Sequence, residues 1–185
     1  MLRAAIETER LALRPAATED VDGLYRLWTH PEVRRFLWDD LAIARERAAA
    51  VVEDSLASFE KEGLGLFVAA LRPDPRLVGF CGLRRFGEDR EVEILYGIEP
   101  GLWGRGLATE AARAVLRHGF ENLALDRIFA GADAPNAASF RVMEKLGMSF
   151  SKRLEIGGRE VVYWAVSREE FRPTDAFDQR RLSGA

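Results

Sequence analysis

The stretch Pro100 to Phe120, PGLWGRGLATEAARAVLRHGF, sets Gly104 and Gly106 just ahead of an alanine-rich helical pattern. A helix N-terminus offers N–H groups without intrahelical partners and the positive end of the helix dipole. Glycines there let an anion come close to the backbone, so the chemistry this stretch suits is holding a phosphate. A P-loop would need Lys and Ser or Thr after Gly106, where Leu107 and Ala108 stand instead. A dinucleotide fingerprint fits Gly104 and Gly106, but its third glycine falls on Thr109, and the motif comes after several strand-like runs. Asp133, at the end of the next such run, keeps that rival open as a ribose-binding acid. A tight turn with no ligand is the plainest reading of the two glycines.

Other residues add to the inventory. Glu91 and Glu93 alternate with apolar residues in EVEILYGI, so both carboxylates fall on one strand face, where Arg84, Arg85 or Arg90 could pair with Glu93. Asn136, after Pro135, suits the N-cap of a helix. His30 and His118 are the only histidines and lie far from each other and from Cys81, so no metal site is expected. His118 falls late in the helix after the glycines, where it would meet the negative dipole end.

The elements that must position these residues are legible in outline. Arg10 to Arg14 alternates as a strand and stops at Pro15, and Thr18 offers an N-cap for a helix through Leu24, Leu27 and Trp28. A helix from Leu41 to Lys61 carries the stripe Ala48, Val51, Val52, Leu56 and Phe59, and Gly63 closes it. Strands Leu64 to Leu71 and Leu77 to Phe86 form a hairpin across Arg72 to Pro75, and Glu91 to Ile98 follows as a third strand. After the glycine stretch a helix runs to about Leu123, then a strand Arg127 to Asp133 and a helix ending at Leu146, with Gly147 at C′. Strands Met148 to Ile156 and Glu160 to Val166 flank the turn Gly157-Gly158. The order β α α β β β α β α β β predicts a mixed α/β sheet, with a right-handed crossover between the strands at Glu91 and Arg127.

Composition sets outer bounds. A chain of 185 residues with 48% hydrophobic and 31% charged residues suits one domain with a sizeable core. The net charge of -3 gives no general attraction to nucleic acid or an anionic membrane. No apolar run approaches the ~20 residues of a membrane span, no signal-like segment follows Met1, and Cys81 has no internal partner. A soluble, cytoplasmic protein is the expectation. The segment 173–185 is polar and is expected to fray or to dock on a partner.

WGRGLATEA, preceded by EILYGI and followed by NAASFRVMEKLGM, resembles the acyl-CoA binding core of the GNAT superfamily of N-acetyltransferases. The opening TERLALRPAATEDVDGLYRLWTHPEVRRFL and the hairpin around IGGREVVYW resemble its RimJ/RimL branch, and the likeness spans Glu7 to Arg172. It implies one GNAT-like domain over 1–172. That domain would be an α/β fold with a mixed, mostly antiparallel central sheet of about seven strands flanked by four helices, splayed at the acyl-CoA site. The implied activity is direct acetyl transfer from acetyl-CoA to a primary amine in a ternary complex, with no metal.

By the same resemblance, the backbone from Trp103 through Gly104, Arg105, Gly106, Leu107 and Ala108 to Thr109 holds the CoA pyrophosphate, and Arg105 adds charge. Tyr96, Gly97 and Ile98 would bond the pantetheine through their backbone, with Asn136 contacting the same arm and Phe140 beside it. Glu93 would take the amine proton. Many members carry a tyrosine seven residues after the asparagine to protonate the thiolate; Met143 stands here, so Ser139 or water takes that part. The acceptor would lie between Trp28 to Asp40 and Gly157 to Trp164, with Asp39 and Asp40 available to a cationic amine. Protein N-termini, aminoglycoside-like antibiotics, polyamines and amino acids all stay open as acceptors. A homodimer is an admissible partner, and a non-catalytic acyl-CoA sensor is the alternative function.

Overall fold

The structure is a computed structural model that describes residues 5–173; the expectation for the segment 173–185 thus lies, beyond Pro173, outside the described residues. Alternating apolar residues set the strands. They are β1 (Ile6–Glu7), β2 (Leu11–Pro15), β3 (Leu66–Leu71), β4 (Leu77–Phe86), β5 (Glu91–Ile98), β6 (Arg127–Asp133), β7 (Ser149–Ile156) and β8 (Arg159–Ser167). They form one eight-stranded sheet in the order β1-β2-β3-β4-β5-β6-β8-β7. Every neighbouring pair is antiparallel except β5 and β6, which are parallel. A helical crossover has to join those two, because no tight turn can link parallel strands.

Five α-helices flank the sheet: α1 (Val21–Thr29), α2 (Pro31–Leu37), α3 (Arg45–Glu62), α4 (Leu107–Glu121) and α5 (Ala137–Lys145). Trp28 of α1 and Val52 of α3 pack with Val68 and Phe80 on one face of the sheet. Val115 and Leu116 of α4 and Met143 of α5 pack with Ile94 and Ile98 on the other. Side chains of β5 therefore alternate between two separate cores.

The structure differs from the sequence expectation in two counts. The eighth strand is the two-residue β1, too short to leave a pattern. The fifth helix is α2, which starts with Pro31 at its first turn and with His30 as N-cap, whose Nδ1 accepts from the Glu32 N–H at 3.3 Å. The helix expected from Leu41 begins only at Arg45. Thr18 opens a short 3-10 turn instead of capping α1. Asp20 does the anchoring: its Oδ2 accepts from Ala17 N–H at 2.8 Å, and Arg14 grips the carboxylate at 2.6 and 2.7 Å.

His118 lies in the last turn of α4, at the dipole end, and is half-buried there. It sits edge-on to Phe67 at 5.7 Å, and burial lowers its pKa, against the opposing effect of its Asn122 partner. A lowered folded pKa means that stability is fully present above about pH 6.5 and is lost as pH falls through the folded value. Urea unfolding between pH 7 and pH 5 is expected to show this loss, and His118→Gln to reduce it; an unchanged pH slope in the variant would refute the assignment.

Candidate active site

β5 and β6 are paired at a single register position, Glu93 with Phe129. Beyond it the strands separate, so Ile94 to Ile98 have no strand partner on that side, although β4 pairs β5 along its whole length. A cavity of about 430 Å³ fills the gap. Its walls come from both faces of the sheet: Tyr96, Ile98 and Ser139 on the side of α4 and α5, Phe36, Phe80 and Leu95 on the side of α1 to α3. A site that passes through the sheet can bring two ligands together from opposite faces.

The glycine stretch closes one end. Gly104 and Gly106 have φ of 76° and 77°, a left-handed backbone that a side chain would strain, and the space above Gly104 is open. Gly106 is the N-cap of α4 and has no side-chain capping bond, so the N–H groups of the first turn are available to an anion. Trp103 ties the loop to β5 through its indole N–H, which donates to the Ile98 carbonyl at 2.6 Å. Trp103, Gly104 and Ala108 line the cavity; Leu107 is buried in the core, which orients the start of the helix.

Two residues absent from the sequence-based candidates, Glu110 and Arg10, hold this loop in place. Glu110, in the first turn of α4, accepts from Thr8 Oγ1 at 2.6 Å and from the Arg10 backbone N–H at 2.8 Å. The Arg10 guanidinium pairs with Glu110 at 2.6 Å and also donates to the Arg105 carbonyl at 2.8 Å. An acid at a helix N-terminus would repel an anion, but here Arg10 neutralises it. In the sequence Glu110 reads only as an acid in the first turn of a helix, with no hint that the residue just before β2 supplies its cation. Glu110→Ala is expected to cost about 1–2 kcal/mol, given the half-exposed Arg10. Tm should fall by about 2–8 °C, and a shift below about 1 °C in a thermal melt would refute the bracing role.

Glu93 sits where the two strands part. It is 3% exposed, and Arg84 on β4 donates to its Oε1 from Nε at 2.6 Å and from Nη2 at 2.5 Å. The plain pairing with Arg84 is thus real, and Glu93 itself does not line the cavity, whose β5 wall begins one residue further on at Ile94. Tyr163 of β8 stands close by: its phenol pKa is raised by burial and by the charge of Glu93. Glu91 is engaged by Lys152, whose ammonium also faces the rings of Phe86, Phe129 and Tyr163.

On α5, Asn136 is the N-cap, its Oδ1 accepting from Ser139 N–H at 3.2 Å. Its amide NH₂ remains to donate to a ligand. Tyr96 donates its hydroxyl to the Ser139 carbonyl at 3.2 Å, tying β5 to α5 across the gap. Asn136, Ser139, Tyr96, Gly97 and Ile98 all line the cavity. Phe140 is not among its walls; it packs against Trp164 at 6.0 Å. Met143 is fully buried in the core. Asp133 is held by Arg159 at 3.1 Å, and Asp39 and Asp40 are paired with Arg159 and Arg34. Neither a ribose acid nor a free acidic patch results.

The family model described as Acetyltransferase (GNAT) domain matches residues 10–149. The chain is 30% identical over 150 residues to p20 of Bacillus licheniformis, an uncharacterized N-acetyltransferase, with 78% of this chain and 81% of that protein covered. Its fold matches a GNAT-family acetyltransferase from Bacillus anthracis with a TM-score of 0.77 at 25% identity, covering 90% of this chain and all of that one. RimL, a ribosomal L7/L12 alpha-N-protein acetyltransferase solved with coenzyme A, matches in fold alone, with a TM-score of 0.75 at 15% identity over 89% of this chain and 98% of that one. The protein belongs to the GNAT acetyltransferase family and is an N-acetyltransferase. That family uses acetyl-CoA. Among the described residues, no group of three or more His, Cys, Asp or Glu could hold a metal ion, and no helix is long and apolar enough to cross a membrane.

Proposed function

We propose that residues 1–172 form one catalytic domain that transfers acetyl directly from acetyl-CoA to a primary amine, with both substrates bound together. The observation that carries this reading is the single β5–β6 pair at Glu93, beyond which a cavity opens to both faces of the sheet. Acetyl-CoA, when bound, supplies an activated thioester. The backbone donors from Trp103 to Thr109 bind its pyrophosphate, an anion that the left-handed glycines and the α4 N-terminus suit. The unpaired edge of Tyr96, Gly97 and Ile98, with the Asn136 amide, orients the pantetheine arm and leaves one strand N–H to act as oxyanion donor.

Glu93, one residue before the cavity wall at Ile94, collects the amine proton through water. An α-amine has a pKa near ~8, so the base has little to overcome, and Arg84 occupies only Oε1, leaving Oε2 for the proton. The Ser139 hydroxyl, or water beside it, protonates the departing thiolate, whose pKa near ~8.5 demands no strong acid. The acceptor is a small-molecule amine or a protein N-terminus.

A thermal melt with acetyl-CoA, followed by thiol release on adding amines, tests the proposal. At about 100 times Kd a ligand adds roughly 2.7 kcal/mol, and at ~2 to 4 °C per kcal/mol the shift is easily read. A rise in Tm with amine-dependent thiol release is the expected result. A protein that melts at the same temperature with and without acetyl-CoA would refute it.

A further inference from the structure

We infer that the acceptor is a monoamine with an apolar carbon framework next to its amino group, and not a polyamine or an aminoglycoside. This rests on the acetyl-transfer reading above and narrows its acceptor. Glu93 and Leu95 are two residues apart on β5, so they share a sheet face. That face is the one on which Leu95 packs with α1 to α3, opposite the face of α4 and its glycine loop. An amine that gives its proton to Glu93 must therefore have its substituent on the Leu95 side of the gap.

The walls on that side are Val33, Phe36 and Leu37 of α2 with Phe80 and Leu95 of the sheet. Phe36 and Leu37 are half-buried: Leu37 packs against the core of α1 to α3, and the Arg35 guanidinium lies 5.1 Å from the centre of the Phe36 ring. Phe80 does not yield: Trp28 abuts it edge-on at 5.7 Å, and Trp38 backs Trp28 at 5.8 Å. The chamber is a preformed apolar wall.

Its charge argues against a polycation. The charged residues that line the whole cavity are Glu32, Arg141 and Lys145, and Glu32 stands exposed at the rim. Glu93 already has Arg84, and Asp39, Asp40 and Asp133 already have arginine partners. Past Glu32 at the rim, a second or third ammonium group would enter apolar surface without a further carboxylate to meet it, which is costly.

The test compares kcat/KM for leucinamide, 2-phenylethylamine, glycinamide, spermidine and kanamycin with acetyl-CoA as donor, beside a thermal melt with acetyl-CoA alone. Leucinamide and 2-phenylethylamine are expected to exceed glycinamide and spermidine by about 10- to 100-fold, since one methylene in an apolar pocket already discriminates by about tenfold or more. Phe36→Ala should raise KM for leucinamide with little change in kcat and with the acetyl-CoA melting shift intact. Preference for spermidine or kanamycin would overturn the inference, as would faster reaction with hexanoyl-CoA than with acetyl-CoA, which would give the chamber to the acyl chain. A melting shift with no amine acetylated also overturns it while leaving donor binding standing. A missing melting shift instead refutes the underlying acetyl-transfer reading.

Discussion

Glu93→Gln is expected to lower kcat by about 100-fold or more, because a positioned general base contributes roughly 100- to 10,000-fold. The amide keeps the volume of the side chain but has no pair of electrons basic enough to take a proton from an amine. Its environment is fixed by Arg84 on β4 and by the Phe129 pairing, so the change should leave the gap open. Three quantities separate the chemical role from the structural one. The acetyl-CoA melting shift should persist, KM for the amine should change little, and kcat should recover in part as pH rises and the amine deprotonates by itself. Arg84 loses its carboxylate partner in this variant, but it is 61% exposed and water can solvate it, so the stability cost stays small. Retention of full kcat by Glu93→Gln would assign the carboxylate to structure alone.

Gly106→Val is expected to weaken acetyl-CoA binding by about 100-fold or more. Gly106 has φ of 77°, and a left-handed backbone costs an ordinary L-residue about 1–2 kcal/mol, with a β-branched side chain at the upper end. Tm should therefore fall by about 2–8 °C. The larger effect is on the ligand, since relief of the strain would turn the first N–H groups of α4 away from one shared point. Isothermal titration with acetyl-CoA is expected to show Kd raised by about 100-fold or more, the loss of roughly two charge-assisted hydrogen bonds. The paired control is Gly101→Ala, where an added Cβ meets nothing within 4 Å; its affinity should match the wild type. Equal Kd for Gly106→Val and the wild type would mean that the loop is only a turn.

The parts of the site that can be read in the sequence are those carried by local chemistry. Gly104 and Gly106 before an alanine-rich helix, Asn136 after Pro135, and alternating Glu91 and Glu93 each announce a conformation within a few residues. The neighbours that decide how those residues act come from far away along the chain. Glu110 meets Thr8 and Arg10 across about a hundred residues, and Arg159 reaches Asp39 from the last hairpin. Even the helix α2 is hidden for a local reason, since His30-Pro31 reads as a break unless the histidine is seen to cap.

The sequence by itself determined the strand and helix order apart from β1 and α2, the anion-suited glycine loop and the absence of any strong net charge, because periodicity, backbone freedom and charge are properties of short segments. Only the tertiary structure decided that β5 and β6 pair as strands at Glu93 alone, that Glu93 is held by Arg84, and that Phe36, Leu37 and Phe80 make one apolar wall. The reason is physical: a gap between strands is set by how two cores pack on opposite faces of the sheet, and no stretch of chain records a distance to a residue it meets only after folding.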